Sequence, residues 1–138
     1  MKKITLRFII VLAALLSVVS WTVSAKKFRI MTFNIRLSAK SDSINYWDNR
    51  KEAVTKFINS TVPDVFGLQE ATNPQMQDLT KALTKYAYVG VARDDGKEKG
   101  EFNPVFYLKD RYKLIKSGTF WLSETPDEPS KGWDDGCY

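Results

Sequence analysis

The sequence contains no histidine and only one cysteine among its 138 residues. Without an imidazole, a Ser-His-Asp or Cys-His nucleophile, an HExxH zinc site and a C2H2 zinc finger are all excluded. The lone Cys137 excludes a disulfide within the chain. The length fits one domain at most, and 43% hydrophobic with 13% aromatic residues is a globular composition. We therefore expect one domain with a hydrophobic core.

The excess of positive charge lies at the N-terminus. The formal net charge is +5, from 21 basic and 16 acidic residues. Three of the basic residues precede an apolar run over residues 8–19, and Val23-Ser24-Ala25 follows with the pattern of a signal peptidase site. The run is shorter than the roughly 20 apolar residues of a membrane span, so residues 1–25 are predicted to be a cleaved secretory signal rather than an uncleaved anchor. The protein is then expected to be secreted or periplasmic.

The remaining segment, residues 26–138, is nearly neutral. Removing three of the 21 basic residues leaves 18 against 16 acidic ones, a net charge of +2. This balance gives no support to nucleic-acid binding through a basic surface.

Predicted strands and helices alternate along residues 26–138. The first strand, residues 28–35, has apolar side chains on both faces, which predicts burial on both sides. An amphipathic helix over residues 49–60 is expected to have Asp48 as its N-cap, and Asn73-Pro74 is expected to open a second helix as N-cap and first residue. Further strands are predicted at 65–69, 86–91, 104–108 and 112–122, the last two as a hairpin that turns at 109–111. This order predicts the α/β class, with a parallel or mixed central sheet and helices on an outer face.

Two oxygen-bearing side chains fall at the ends of the first two predicted strands. Asn34 lies near the carboxyl end of the first strand, and Glu70 follows the second. Ligands of open α/β sheets collect outside the carboxyl ends of strands, and an amide with a carboxylate suits a hard cation such as Mg²⁺. The alternative is that Asn34 caps a turn and Glu70 only ends a strand.

The amino-acid sequences of these two strands also resemble known family motifs. The segments Met31-Thr32-Phe33-Asn34-Ile35-Arg36 and Asp64-Val65-Phe66-Gly67-Leu68-Gln69-Glu70 resemble the paired opening motifs of the endonuclease/exonuclease/phosphatase superfamily. Four later segments are similar to its secreted bacterial branch: Arg93-Asp94-Asp95-Gly96, Gly100-Glu101, Pro104-Val105-Phe106-Tyr107, and the segment from Gly118 to Pro126.

The resemblance implies a fold and a chemistry. The fold is a four-layer α/β sandwich of two facing sheets flanked by helices, and the activity is hydrolysis of a phosphoester with Mg²⁺ or Mn²⁺. In such enzymes the residue matching Glu70 binds the metal directly, and the residue matching Asn34 helps to hold the metal and phosphate region. The metal would screen phosphate charge during in-line displacement by water.

Four further residues are weaker candidates. Glu101 occupies a loop where some members of the superfamily place an acid that orients a catalytic histidine; the alternative is a solvated loop charge. Arg36, Arg50 and Arg93 could contact substrate phosphate, because guanidinium groups suit phosphate oxygens. For Arg50 and Arg93 a surface ion pair is the alternative.

The superfamily's late motifs, Ser-Asp-His and Gly-Asp-x-Asn, are absent from this sequence. Residues 26–138 are therefore expected to be the N-terminal part of a domain, truncated and inactive alone, because water activation needs the missing residues. Two other readings stay open: a secreted binding protein that uses the same sheet, and an inert remnant. Nucleic acid, a phospholipid head group and a sugar phosphate are equally compatible substrates.

Overall fold

The computed structural model describes residues 27–132. The predicted signal at 1–25 and Cys137 lie outside this range. The elements in chain order are β1 Ile30–Asn34, a short 3-10 segment Lys40–Asn45, α1 Trp47–Thr61, β2 Val65–Gln69, β3 Ala71–Thr72, α2 Asn73–Ala82, β4 Tyr86–Val89, β5 Glu101–Phe102 and β6 Val105–Leu108. Neither helix within the described range has the length and apolar character that crossing a membrane requires.

Four strands form a mixed central sheet in the order β1-β2-β6-β4. β1 and β2 are parallel, joined through α1, with Asn34 opposite Gln69. β6 is antiparallel to both β2 and β4. β3 and β5 form a separate two-stranded antiparallel sheet. The architecture confirms the predicted α/β class with a mixed central sheet.

Both helices cover one face of this sheet. Phe66 and Phe106 on neighbouring strands stack with ring centroids 4.9 Å apart, and both are buried. They belong to one apolar core with Ile58 of α1 and Leu79 of α2, each fully buried. The placement of the helices follows from the sequence, because one stripe of each helix is apolar.

The expectation that β1 is buried on both sides is wrong. β1 lies at the edge of the sheet, and its side chains alternate between exposed and half-buried. Ile30 is 73% exposed, whereas Phe33 on the opposite face packs against the core. Apolar residues on both faces predicted two covering layers, but within residues 27–132 the helices cover only one face.

The predicted helix starts are each displaced. Tyr46, not Asp48, is the N-cap of α1; Asp48 lies in the first turn, where its carboxylate pairs with Lys51 at 2.8 Å. The N-cap of α2 is Thr72, so that Asn73 is the first helical residue.

The predicted strand at 112–122 is also wrong, and with it the hairpin. No strand follows Leu108 in the part of the chain that the structure describes. The physical reason is that both edges of β6 are already paired, with β2 and β4, so that no ladder position is left for a hairpin partner. Instead Tyr112 turns back and its hydroxyl donates to Asp64 at 2.9 Å.

Candidate active site

The parallel pairing of β1 and β2 brings Asn34 and Glu70 together. Asn34 is the last residue of β1 and lies opposite Gln69, so Glu70 follows directly beside it. Glu70 has a left-handed backbone, with φ of 62°, which ends the strand and redirects the chain into β3. This conformation costs roughly 1–2 kcal/mol for a residue other than glycine. The surrounding contacts must hold it in place.

The Glu70 carboxylate is bound on both oxygens. The Asn34 side-chain amide donates to Oε1 at 2.6 Å, and the Leu37 backbone N–H donates to Oε2 at 3.0 Å. The Asn34 Oδ1 in turn accepts from the Arg36 N–H at 2.8 Å. The hydrogen bonds from Asn34 and then from Leu37 lower the pKa of Glu70 below its ordinary range. Glu70 is therefore an ionised, oriented oxygen donor at neutral pH.

A cavity of about 390 Å³ opens over this pair. Its lining residues lie at the carboxyl ends of β1 and β2 or in the chain that follows them: Asn34, Arg36, Leu37, Ala39, Asp42 and Glu70. Arg36 lies at the cavity and its Nε and Nη2 donate to the two carboxylate oxygens of Asp42 at 2.6 and 2.7 Å. This pairing lowers the pKa of Asp42 and raises that of Arg36. The predicted candidate Arg36 thus borders the site. It lies two residues beyond the end of β1 and has a left-handed backbone.

Arg50 does not line the cavity, and its side chain binds the backbone. Its guanidinium donates to the carbonyls of Ile35, Arg36, Leu37 and Asn45, at 2.6 Å for Arg36 and Asn45. Burial, followed by the charge of Arg36, lowers the pKa of Arg50 from its ordinary value. These bonds are neither a phosphate contact nor a surface ion pair, the two roles given for Arg50 from the sequence. The Arg50 guanidinium instead donates to carbonyls of the loop that follows β1.

Arg93 and Glu101 form a pair of their own. The Arg93 Nη1 lies 3.3 Å from a Glu101 carboxylate oxygen, and its Nε lies 3.3 Å from Asp94. Neither residue lines the cavity over Glu70. For Arg93 this is the ion pair given as the alternative. Glu101 is a residue of β5, opposite Thr72.

Two polar residues of this region were not singled out from the sequence. Asp42 lines the cavity and holds Arg36, and nothing in its local sequence marks that role. Gln75 is fully buried, accepts from the Thr72 N–H at 3.0 Å and donates to the Arg36 carbonyl at 2.9 Å. The spacing Thr72-x-x-Gln75 is that of a capping box, so this signal could have located Gln75.

The donor set is compatible with a hard divalent cation. Residues 27–132 contain no group of three or more His, Cys, Asp or Glu side chains that could by itself hold a metal ion. One carboxylate oxygen of Glu70 and the Oδ1 of Asn34, beside an open cavity, match the habit of Mg²⁺, which takes one or two carboxylates and keeps places for water and phosphate oxygens.

A mixed α/β sheet with an ordered carboxylate at the carboxyl ends of two parallel strands is typical of α/β enzymes, whose ligands bind at those strand ends. The sequence profile of the Endonuclease/Exonuclease/phosphatase family matches residues 31–132, which is more than half of the chain. The chain belongs to this family.

Two solved structures show the similarity in three dimensions. The endonuclease/exonuclease/phosphatase from Bacteroides vulgatus is 47% identical with a TM-score of 0.77, over 80% of this chain and 42% of that one. The mannosyl-6-phosphatase Bt3783 of Bacteroides thetaiotaomicron is 42% identical with a TM-score of 0.75, over 78% of this chain and 41% of that one.

A curated relative is Uncharacterized protein R895 of Acanthamoeba polyphaga mimivirus, 29% identical over 80% of this chain and 18% of the viral protein. The chain therefore spans about two fifths of the two solved structures and less than a fifth of this viral relative.

Proposed function

We propose that this chain carries the metal-binding part of the active site of a Mg²⁺-dependent phosphoesterase. The observation that carries the proposal is the Glu70 carboxylate, held by Asn34 and the Leu37 N–H at the rim of an open cavity. Membership of the family and similarity to a phosphatase support hydrolysis of a phosphoester.

Each residue has a defined task in this proposal. Glu70 and Asn34 would hold the cation, which when bound supplies screening of phosphate charge. The hydrogen bonds to Glu70 keep its carboxylate ionised and fixed before any ligand arrives, which is the preorganisation that electrostatic catalysis requires. Arg36, paired with Asp42, is a cationic residue among those that line the cavity, and it would contact an incoming phosphate.

A sugar phosphate is the first substrate class to test. The support is the 42% identity to a protein named as a mannosyl-6-phosphatase. A nucleic acid and a phospholipid head group stay open as alternative substrates. Export through the signal at residues 1–25 also stays a prediction.

Metal binding by the full chain tests the proposal. We expect Mn²⁺, followed by water-proton relaxation, to bind the unchanged chain, and Glu70→Gln to weaken that binding at least about tenfold by removing the charged ligand. Glu52→Gln is the matched control, because Glu52 is an exposed glutamate of α1 away from the cavity. Equal Mn²⁺ affinity in all three proteins would refute the proposed site.

Turnover is a separate question. We expect this chain alone to hydrolyse neither mannose 6-phosphate nor bis-p-nitrophenyl phosphate in Mg²⁺, since it has no histidine to activate water. Hydrolysis that disappears in Glu70→Gln would contradict that expectation while supporting the site itself.

A further inference from the structure

The segment that follows β1 is held in an unfavourable backbone conformation. Arg36 has φ of 58°, in the left-handed region that glycine favours, and it is directly followed by Leu37, whose N–H binds the Glu70 carboxylate. A chain released from this conformation would turn that N–H away from Glu70. Some contact must therefore hold the peptide groups of residues 35–37.

Two side chains converge on one carbonyl of this segment. The Arg36 carbonyl accepts from the Arg50 Nη2 at 2.6 Å and from the Gln75 Nε2 at 2.9 Å. Arg50 comes from α1 and Gln75 from α2, so that each helix donates a hydrogen bond to the same peptide group. This uses both lone pairs of the carbonyl, which is the full capacity of a backbone acceptor.

Arg50 makes further contacts around this peptide group. Arg50 also donates to the carbonyls on either side, those of Ile35 and Leu37, and lies with its guanidinium carbon 5.4 Å from the centre of the Trp47 ring. A planar guanidinium can serve several acceptors at once, whereas an ammonium group cannot reproduce that fork.

Gln75 joins the two strand exits. Its Oε1 accepts from the Thr72 N–H at 3.0 Å and the Thr72 hydroxyl at 2.8 Å, two residues after Glu70. Its Nε2 reaches the Arg36 carbonyl, 39 positions away in the sequence, and the whole residue is buried. The Gln75 amide thus fixes the distance between the chain that leaves β1 and the chain that leaves β2.

We propose that Arg50 and Gln75 are positioning residues, which hold the Arg36 peptide and through it place the Leu37 N–H on Glu70. They do not line the cavity and act only through the backbone of residues 35–37. The proposal deepens the proposed function and rests on it for the metal-binding readout. The geometric readout, the Leu37 amide, is independent of any metal.

The test uses the full chain with Arg50→Lys and Gln75→Met. In the absence of metal, amide hydrogen exchange at Leu37 should accelerate at least about tenfold in each variant, because the N–H is released from Glu70, while exchange at buried Phe66 stays unchanged. Mn²⁺ affinity should fall by about 10- to 100-fold, the usual effect of losing a group that orients a metal ligand.

Matched controls separate positioning from general stability. Arg29→Lys alters another arginine that donates to a backbone carbonyl, that of Thr61, at the opposite end of β1. Gln77→Met alters an exposed glutamine of α2. Both controls should keep the exchange rate at Leu37 and the Mn²⁺ affinity of the unchanged chain.

The outcomes are distinct. Unchanged exchange at Leu37 in both folded variants, or acceleration spread equally over Leu37 and Phe66, overturns the proposal. If Gln75→Met fails to fold, Arg50→Lys alone decides, since Arg50 is only partly buried. If the unchanged chain binds no Mn²⁺, the proposed function fails and the Leu37 exchange rate still decides the positioning roles.

Discussion

At the scale of single residues, Asp64 shows how one carboxylate joins distant parts of the chain. Asp64 is 1% exposed and lies just before β2. It accepts from the Arg29 backbone N–H at 2.8 Å and from the Tyr112 hydroxyl at 2.9 Å, and it pairs with Arg111. The chain entering β1 and the chain leaving β6 are thereby fixed to one side chain. A buried carboxylate tolerates this position only with such partners.

These contacts predict a pH-dependent stability. The hydrogen bond from Arg29 is the main cause that lowers the pKa of Asp64 below the ordinary value of 3.8. A lowered pKa in the folded state stabilises the fold above the ordinary pKa, and this contribution is lost as the pH falls through the lowered value. Asp64→Asn should therefore reduce the melting temperature by several degrees at pH 7, and the difference from the unchanged chain should shrink below pH 4.

Thermal melts between pH 3 and pH 7 measure this effect. Asp110→Asn is the control, because Asp110 is exposed in the turn after β6 and should change the melting temperature little at any pH. A difference between Asp64→Asn and the unchanged chain that stays constant across the pH range would contradict the linkage.

At the scale of elements, α1 and α2 are joined to the sheet by one apolar stripe and to each other by a polar contact. Ile58 of α1 and Leu79 of α2 are fully buried in the common core. The Trp47 Nε1 donates to Asp78 at 2.9 Å, which fixes the start of α1 against the middle of α2. The positions of Arg50 and Gln75 follow from this helix pair.

The apolar stripe predicts that two isoleucines contribute very differently to the free energy of unfolding. Ile58→Ala should lower the free energy of unfolding by about 2–5 kcal/mol, because it removes buried methyl groups and leaves a cavity. Ile44→Ala should change it by no more than about 0.5 kcal/mol, since Ile44 is 81% exposed. Urea denaturation followed by circular dichroism measures both values. Similar losses in the two variants would show that α1 does not pack as described.

At the scale of the whole molecule, one face of the central sheet is covered by the helices and the other is left open by residues 27–132. The open face carries Ile30, which is 73% exposed, and Val105, which is 41% exposed. Ile30 pairs with Val65, and Val105 pairs with Gly67, two positions further along β2. Because side chains alternate along a strand, Ile30 and Val105 lie on the same face. Exposed apolar side chains that share one face of a sheet form a surface that hydrophobic molecules can bind.

The open face should bind a hydrophobic dye. We expect Ile30→Thr to reduce the fluorescence of 8-anilinonaphthalene sulfonate added to the folded chain, because it removes the most exposed apolar side chain of this face. Ile44→Thr changes an equally exposed isoleucine outside the sheet and should have little effect. Equal reductions in both variants would place the dye elsewhere.

The sequence alone was sufficient for the elements whose signals are local. The run Val65–Gln69 predicted β2 with the bounds that the structure has, and the α/β class followed from the alternation of strands and helices. The neighbourhood of Asn34 and Glu70 was also predictable, because it needs only two parallel strands that end at the same edge. The motifs that contain these residues indicated the family, and the family match confirms it.

Tertiary structure decided what depends on neighbours distant in sequence. Whether β1 is an edge strand, and whether 112–122 finds a free ladder position, is set by the order of all four strands. For Arg50 the sequence left phosphate contact and a surface ion pair open, and the structure shows carbonyl acceptors brought close by the turn after β1. Local sequence fixes backbone preference and the ends of elements, but a side chain's partners are set by packing, since hydrogen bonds form with whichever group the fold brings within reach.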